Sequence, residues 1–101
     1  MDPPSGRLFV SVKYTRRASV EAAPMQDETI LFDPDQNRFC VLNGTAALLW
    51  NKMDVPVTTD ELSAVLCHEF DDLTADRAAN DVAAALQLLQ ELSLVHTVVP
   101  V

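Results

Sequence analysis

The sequence has few glycines and few basic residues. Its 101 residues include only Gly6 and Gly44, which excludes the glycine-rich loops that bind phosphate groups. Seven lysines and arginines stand against 15 aspartates and glutamates, giving a formal net charge of −8. A chain with this charge would repel a phosphate backbone, so nucleic acid is not an expected partner.

Long apolar runs and zinc-site spacings are also missing. No stretch reaches the roughly 18 to 20 apolar residues needed to cross a bilayer, and the start lacks the pattern of a signal peptide. We therefore expect a cytoplasmic protein with no membrane partner. Cys40, Cys67, His68 and His96 lack the spacing of zinc ligands, so we expect no metal and no other cofactor. Adjacent Cys67 and His68 would point about 100° apart on a helix, with no third group to orient them, so we also expect no catalytic residue. Both cysteines should stay reduced, with a Cys40–Cys67 disulfide as the less favoured alternative.

Alternating and β-branched segments predict strands in the first half of the chain. Residues 8–14 alternate with a period of two, and residues 28–32 (ETILF) are rich in residues that favour strands. A further extended segment is expected at residues 19–23, with Pro24 interrupting its pairing. The turn sequence DPDQN follows ETILF, and residues 38–42 (RFCVL) return from it, which predicts a hairpin. Both faces of this returning strand are largely apolar, so it is either covered on both sides or open to a partner.

Three helix starts follow the hairpin. Asn43 or Thr45 can cap a first helix, the four residues from Thr58 to Glu61 fit a capping box, and Thr74 opens a longer third helix. The final HTVVPV is a candidate additional strand. This order predicts an α+β winged helix-turn-helix fold, with a three-stranded antiparallel sheet followed by three helices and an optional extra N-terminal strand. We divide the chain into an N-terminal arm (1–18), the winged-helix domain (19–96) and a C-terminal tail (97–101).

Four segments between Ser19 and Val95 together resemble a known family. They are ETILFD, NRFCVLNGTAALLW, VTTDELSAVLCHEF and TADRAANDVAAALQLLQELSLV. The positions that match the family's pattern are Leu42-Asn43, Trp50, Thr58 and Asp81-Val82. Ser93-Leu94 stands where the family usually has Gly-Leu. On these residues the chain is similar to the PqqD-like family, the RiPP recognition elements that bind leader peptides of ribosomally made precursors.

The resemblance implies a non-catalytic adaptor that binds a peptide by strand addition. In the family the leader lies beside the third strand of the winged-helix sheet, in the groove between that strand and the third helix. Carried onto this sequence, the peptide-binding residues are Arg38, Phe39, Cys40, Val41 and Leu42 on the strand, and Asp81, Ala84, Ala85 and Leu88 on the helix. The two alanines would leave room for a bulky leader side chain, and Asp81 would accept a hydrogen bond or pair with a leader lysine or arginine.

The resemblance also implies partners, and the residues leave alternatives open. The expected partners are a precursor leader peptide and a maturation enzyme, either a radical SAM enzyme or a peptidase with a cyclase, and a homodimer stays open. Phe39, Val41 and Ala85 could instead be core residues, and Asp81 an exposed charge. The alternative function is a structural or dimerising subunit that packs through its last helix.

Overall fold

The computed structural model describes residues 12–99. Its elements, in chain order, are β1 (Lys13–Arg16), β2 (Glu21–Pro24), β3 (Thr29–Asp33), β4 (Arg38–Leu42), α1 (Gly44–Lys52), α2 (Thr59–Glu69), α3 (Ala75–Glu91) and β5 (Val95–Val98). The strands form two antiparallel sheets, one with the order β2-β3-β4 and one that pairs β1 with β5. The α+β winged-helix prediction is confirmed, and so are an extra strand before the sheet and the additional strand near the C-terminus.

The predicted hairpin forms where the sequence places it. Asp33 lies opposite Arg38 in the register, so DPDQN closes the turn between β3 and β4. Asn37 has a φ of 53°, a left-handed conformation that asparagine tolerates better than most residues. The buried Asp33 carboxylate accepts hydrogen bonds from the main-chain N–H of Asp35 at 3.0 Å and from the Gln36 amide. A polar group inside the turn thus fixes the direction in which β4 leaves it.

The prediction that Pro24 interrupts the pairing of its segment is wrong. Pro24 is the last residue of β2 and lies opposite Thr29. In the next pair toward the turn, the Met25 N–H donates to the Glu28 carbonyl at 2.7 Å. Because hydrogen-bonded and non-hydrogen-bonded pairs alternate along an antiparallel ladder, the Pro24 position requires no N–H donor toward β3.

The three helices cover one face of the three-stranded sheet. The largest apolar side chains that are less than 2% exposed are Leu31, Leu42, Leu49, Trp50, Met53, Leu62, Leu66, Val82 and Leu89. In β3 and β4 the residues that face the helices alternate with residues that face away, so Leu31 and Leu42 are buried while Phe39 and Val41 are exposed. The core therefore lies between this sheet and the helices, and the opposite face of the sheet carries apolar side chains.

Side-chain caps begin all three helices. Of the two candidates for α1, Asn43 is the cap, because its side-chain oxygen accepts the Ala46 N–H at 2.9 Å. Thr58 and Glu61 form the predicted capping box, and the hydrogen bonds from Thr58 lower the pKa of the Glu61 carboxyl. Thr74 caps α3 by accepting the Arg77 N–H at 3.2 Å.

The second sheet holds the arm against the helices. Tyr14 exchanges two main-chain hydrogen bonds with Val57, at 2.7 and 3.0 Å. The Arg16 guanidinium lies 5.8 Å from the centre of the Trp50 ring, a cation–π distance. The predicted strand over residues 8–14 is thus represented by β1, and its residues 8–11 lie outside the described part. β5 runs across the expected boundary between domain and tail at residue 96.

Candidate functional site

β4 is an edge strand, and some of its main-chain N–H and C=O groups form no hydrogen bond with β3. Within residues 12–99, no strand pairs with its outer side. The hydrogen-bonded Met25–Glu28 pair sets the alternation through β3, so Cys40 is hydrogen-bonded to β3 and its two neighbours are not. The N–H and C=O groups of Phe39 and Val41 therefore point outward, which leaves two donors and two acceptors at the open edge.

A groove lies beside the end of this edge. It has a volume of about 300 Å³, and its lining residues are Asn43, Thr45 and Ala46 at the start of α1 and Asp81, Ala84, Ala85 and Leu88 on α3. Asn43 directly follows β4, so the groove is continuous with the open edge. Because Ala84 and Ala85 have short side chains, α3 leaves space there for a side chain of another molecule.

The start of β4 is tied to the end of α3. The Arg38 guanidinium and the Gln36 amide both donate to the Leu92 carbonyl, at 3.3 and 3.0 Å. These bonds also satisfy a carbonyl at the helix C-terminus, which no helical N–H can reach. The edge of β4 thus runs beside α3, with Leu92 near its first residue and Asp81 near its last.

The structure places the four predicted helix residues in one groove, whereas the five predicted strand residues differ in burial and lie outside that groove. Asp81, Ala84, Ala85 and Leu88 line one groove, as the sequence predicted for a single wall. None of the β4 residues lines that groove. Arg38, Phe39 and Val41 are exposed, Cys40 is half-buried, and the side chain of Leu42 is 1% exposed in the core. Leu42 therefore offers neither a side chain nor outward main-chain groups to a ligand.

Sequence reasoning missed the three groove residues at the start of α1. Asn43 was identified as a helix cap and as part of a family motif, and Thr45 as an alternative cap, but neither was identified as a groove residue. The direct passage from β4 into α1 could have indicated them, because a strand that leads straight into a helix places the first helical turn beside the strand's end. The small side chain of Ala46 in that turn keeps the groove open.

Cys40 is a poor candidate for a reactive thiol. Burial raises the pKa of its thiol, and the opposing effect of the Arg38 charge is smaller. A thiol with a raised pKa stays protonated near neutral pH and is a weak nucleophile. Both Cys40 and Cys67 are free cysteines.

Asp33 supports the hairpin that carries β4. The hydrogen bond from the Gln36 side chain is the main cause that lowers the pKa of the Asp33 carboxyl, helped by the Asp35 N–H and the Arg17 charge. Arg17 reaches Asp33 at 3.2 Å and also donates to the Ser93 carbonyl at 2.8 Å. The same carboxylate thus links the turn to the arm and, through Arg17, to the end of α3.

The described residues contain neither a candidate metal-binding cluster nor a candidate membrane span. Within residues 12–99, no three histidine, cysteine, aspartate or glutamate side chains are grouped closely enough to hold a metal ion. No helix in the same part of the chain is long and apolar enough to span a membrane.

The fold and the groove define a small winged-helix domain in which the edge strand β4 lies beside a groove of α3. The family model described as coenzyme PQQ synthesis protein D (PqqD) matches residues 28–95. The chain therefore belongs to the PqqD family, as its sequence motifs indicated. No curated protein is similar enough to the chain to count as a match.

Two solved structures share this fold. TbiB1 in complex with the TbiA(beta) leader peptide has a TM-score of 0.72 and 17% identity, covering 81% of this chain and 94% of that one. Lasso peptide synthetase B1 complexed with the leader peptide has a TM-score of 0.70 and 22% identity, covering 82% of this chain and 96% of that one. The chain thus spans nearly the whole of both proteins.

Proposed function

We propose that this protein is a non-catalytic adaptor that binds the leader of a ribosomally synthesised precursor peptide and presents the precursor to a modifying enzyme. One observation carries the proposal: Phe39 and Val41 direct their main-chain groups to an open strand edge that runs beside the α3 groove. A peptide added there would form hydrogen bonds with the main chain of β4 and place side chains against α3.

The shape of the site supports a peptide in extended conformation. Side chains of an added strand alternate between the two faces, so every second one would point toward the α3 groove. The alanines at 84 and 85 provide room there, and Leu88, which is 42% exposed, provides apolar contact. Both structural relatives were solved with a leader peptide, which supports the same class of ligand here.

The adaptor role requires an enzyme partner. The family resemblance implies that this partner is either a radical SAM enzyme or a peptidase with a cyclase, and the one relative named lasso peptide synthetase B1 is in keeping with a lasso-peptide pathway. Because precursor peptides are made by ribosomes, we place this function in the cytoplasm, where reduced Cys40 and Cys67 are also expected.

A pair of adjacent tryptophan substitutions tests the groove. Ala84 lines the groove, whereas Ala83 lies on a different face of α3, beside Tyr14 and Gln87, and both alanines are exposed. Ala84→Trp should fill the groove and weaken binding of a synthetic leader by more than about tenfold, while Ala83→Trp should leave the affinity unchanged. Isothermal titration calorimetry would use a leader from a precursor gene that neighbours the gene of this protein.

Amide NMR shifts on titration would locate the bound peptide. Shifts at residues 38–42 and 81–88 are expected. Equal affinities for the two variants, or shifts confined to the face of α3 that carries Ala83, would contradict the proposal. Such shifts would favour a subunit that packs through its last helix.

A further inference from the structure

The face of the sheet opposite the helices carries an apolar row that the α3 groove does not use. Its members on the two strands nearest the open edge are Ile30 and Phe32 on β3 and Phe39 and Val41 on β4. Phe39 is 69% exposed and Val41 is 56% exposed. The rings of Phe32 and Phe39 contact each other, with centres 4.8 Å apart. The row thus ends at the open edge in two exposed apolar side chains.

The same two residues direct their main-chain groups to that edge. A strand that bonds to Phe39 and Val41 must place its own alternate side chains on the outer face, whether it runs parallel or antiparallel to β4. These side chains lie next to Phe39 and Val41, because cross-strand neighbours on one face are about 4.5 to 5.5 Å apart at Cβ. No charged side chain lies among the four members of the row, so a charged neighbour would gain no partner there.

We propose that Phe39 and Val41 are specificity-determining residues, which select leader strands with an apolar side chain at the position that faces away from the helices. The occupant of this surface is the outward-facing half of the added strand. This inference rests on the proposed function and deepens it. The α3 groove contacts one set of alternate leader side chains, and the outer row contacts the other set. The leader should therefore be apolar at consecutive positions, with one apolar set for each face.

Continuity with the open edge is the argument for this occupant. A partner that covered only the outer face would leave the main-chain groups of Phe39 and Val41 unpaired at the rim of its own interface. A strand added at β4 pairs those groups and covers the two side chains in one step.

A displayed peptide library tests the inference and requires no leader sequence. Random 12-residue peptides on phage would be selected against the wild-type protein, Phe39→Ser, Val41→Pro and Ala23→Ser. Ala23 is exposed in β2 and lies opposite Ile30, on the same face but two strands away from the open edge, which makes Ala23→Ser the matched control. Thermal unfolding of each variant would establish that it folds.

We expect the wild type and Ala23→Ser to enrich peptides that are apolar at alternate positions on both faces. Phe39→Ser should still enrich peptides that Val41→Pro loses, but without the apolar preference at the outward positions. For a synthetic copy of an enriched peptide, Phe39→Ser should raise Kd by a factor of about 1.4 to 5, the range of one cross-strand pair. Alanine at the outward peptide position should raise Kd for the wild type and have little further effect on Phe39→Ser.

Each other outcome overturns the inference in a distinguishable way. If Phe39→Ser enriches the same peptides with the same Kd, the outer row has no part in selection, while the leader-binding function stands. If the wild type enriches no peptide that Val41→Pro loses, both the inference and the proposed function fail. If Phe39→Ser leaves peptide binding unchanged but lowers the molar mass measured by light scattering, the row is covered by a second copy of the chain.

Discussion

The two edges of the three-stranded sheet differ in what they offer to another strand. β2 is four residues long and begins with the charged Glu21. Its outward positions are Ala22 and Pro24, because Ala23 is hydrogen-bonded to β3. Proline has no N–H, so the β2 edge offers one donor where the β4 edge offers two. The side chains at these two outward positions of β2 are also small, whereas Phe39 and Val41 at the β4 edge are large and apolar.

This difference supports the proposal that β4, rather than β2, is the edge that takes a partner. Folded proteins protect exposed sheet edges with short strands, charges and proline, and β2 has all three. β4 has neither proline nor an inward-pointing charge at its centre, and it lies beside the α3 groove. An open apolar edge promotes aggregation unless something uses it, so the unprotected state of β4 is itself an argument for a ligand.

Proline substitutions at the two edges should differ in their effect on leader affinity. Val41→Pro removes an outward N–H and puts the proline ring at the open edge, so leader affinity should fall by more than about tenfold. Ala22→Pro makes the same change at an outward position of β2 and should leave the affinity unchanged. Calorimetric titration measures both. Since neither N–H bonds to β3, circular dichroism should show that both variants remain folded, and an unchanged affinity of Val41→Pro would contradict strand addition at β4.

The open edge also depends on the turn that holds β4. The pKa of Asp33 is lowered in the folded state, so its ionised form contributes stability above the unfolded value of about 4. This contribution is lost as the pH falls through the folded-state pKa. Asp33→Asn should lower the melting temperature at pH 7 and flatten its fall between pH 5 and 2. The exposed Asp35, replaced by asparagine, is the control and should change the melting curve less.

Local patterns in the sequence were sufficient to predict most of the fold. The capping box at Thr58, the strand RFCVL and the turn DPDQN each depend on neighbours within a few residues, and all three form as predicted. Ser93, in the position of the family's usual glycine, adopts a φ of 58° and so keeps the glycine-like backbone there. The sequence motifs therefore indicated the right family even though Ser93 replaces the usual glycine.

Other features depend on contacts between distant parts of the chain. That Phe39 faces outward while Leu42 is buried follows from the register against β3 and from the packing of the helices, neither of which the strand's own composition determines. The contribution of Asn43 and Ala46 to the groove requires α3 to lie beside the start of α1. Pro24 was misinterpreted because its compatibility with pairing depends on which side of the ladder it occupies.

The charge of Asp81 in the groove should contribute less to leader affinity than the main-chain groups of β4 do. Asp81 is exposed in the groove, so a pair with a leader lysine or arginine would be worth about 0.2–1 kcal/mol. Asp81→Asn should weaken leader binding by a factor of about 1.4 to 5 at low salt and by less at high salt. Asp76→Asn removes the same charge from an exposed position of α3 that does not line the groove, and it should leave the affinity unchanged. Titrations at two salt concentrations distinguish the two variants. If both weaken leader binding equally, the charges act only through long-range attraction to the leader and not through a contact in the groove.

The smallest expected effect comes from opening the protected edge. Pro24→Thr gives β2 a second outward N–H without disturbing its bonds to β3, since Pro24 lies in a non-hydrogen-bonded pair. We expect weak self-association, seen by analytical ultracentrifugation only at high protein concentration, because the edge is still short and carries Glu21. Leader peptide should not reverse this association, since the leader would occupy the other edge. Pro34→Thr, in the turn before β4, is the control and should stay monomeric wherever the wild type does. If Pro24→Thr stays monomeric like that control, the short length and the charge of β2 are enough to protect its edge. The difference between the two edges would then come from their side chains and not from the number of outward N–H donors.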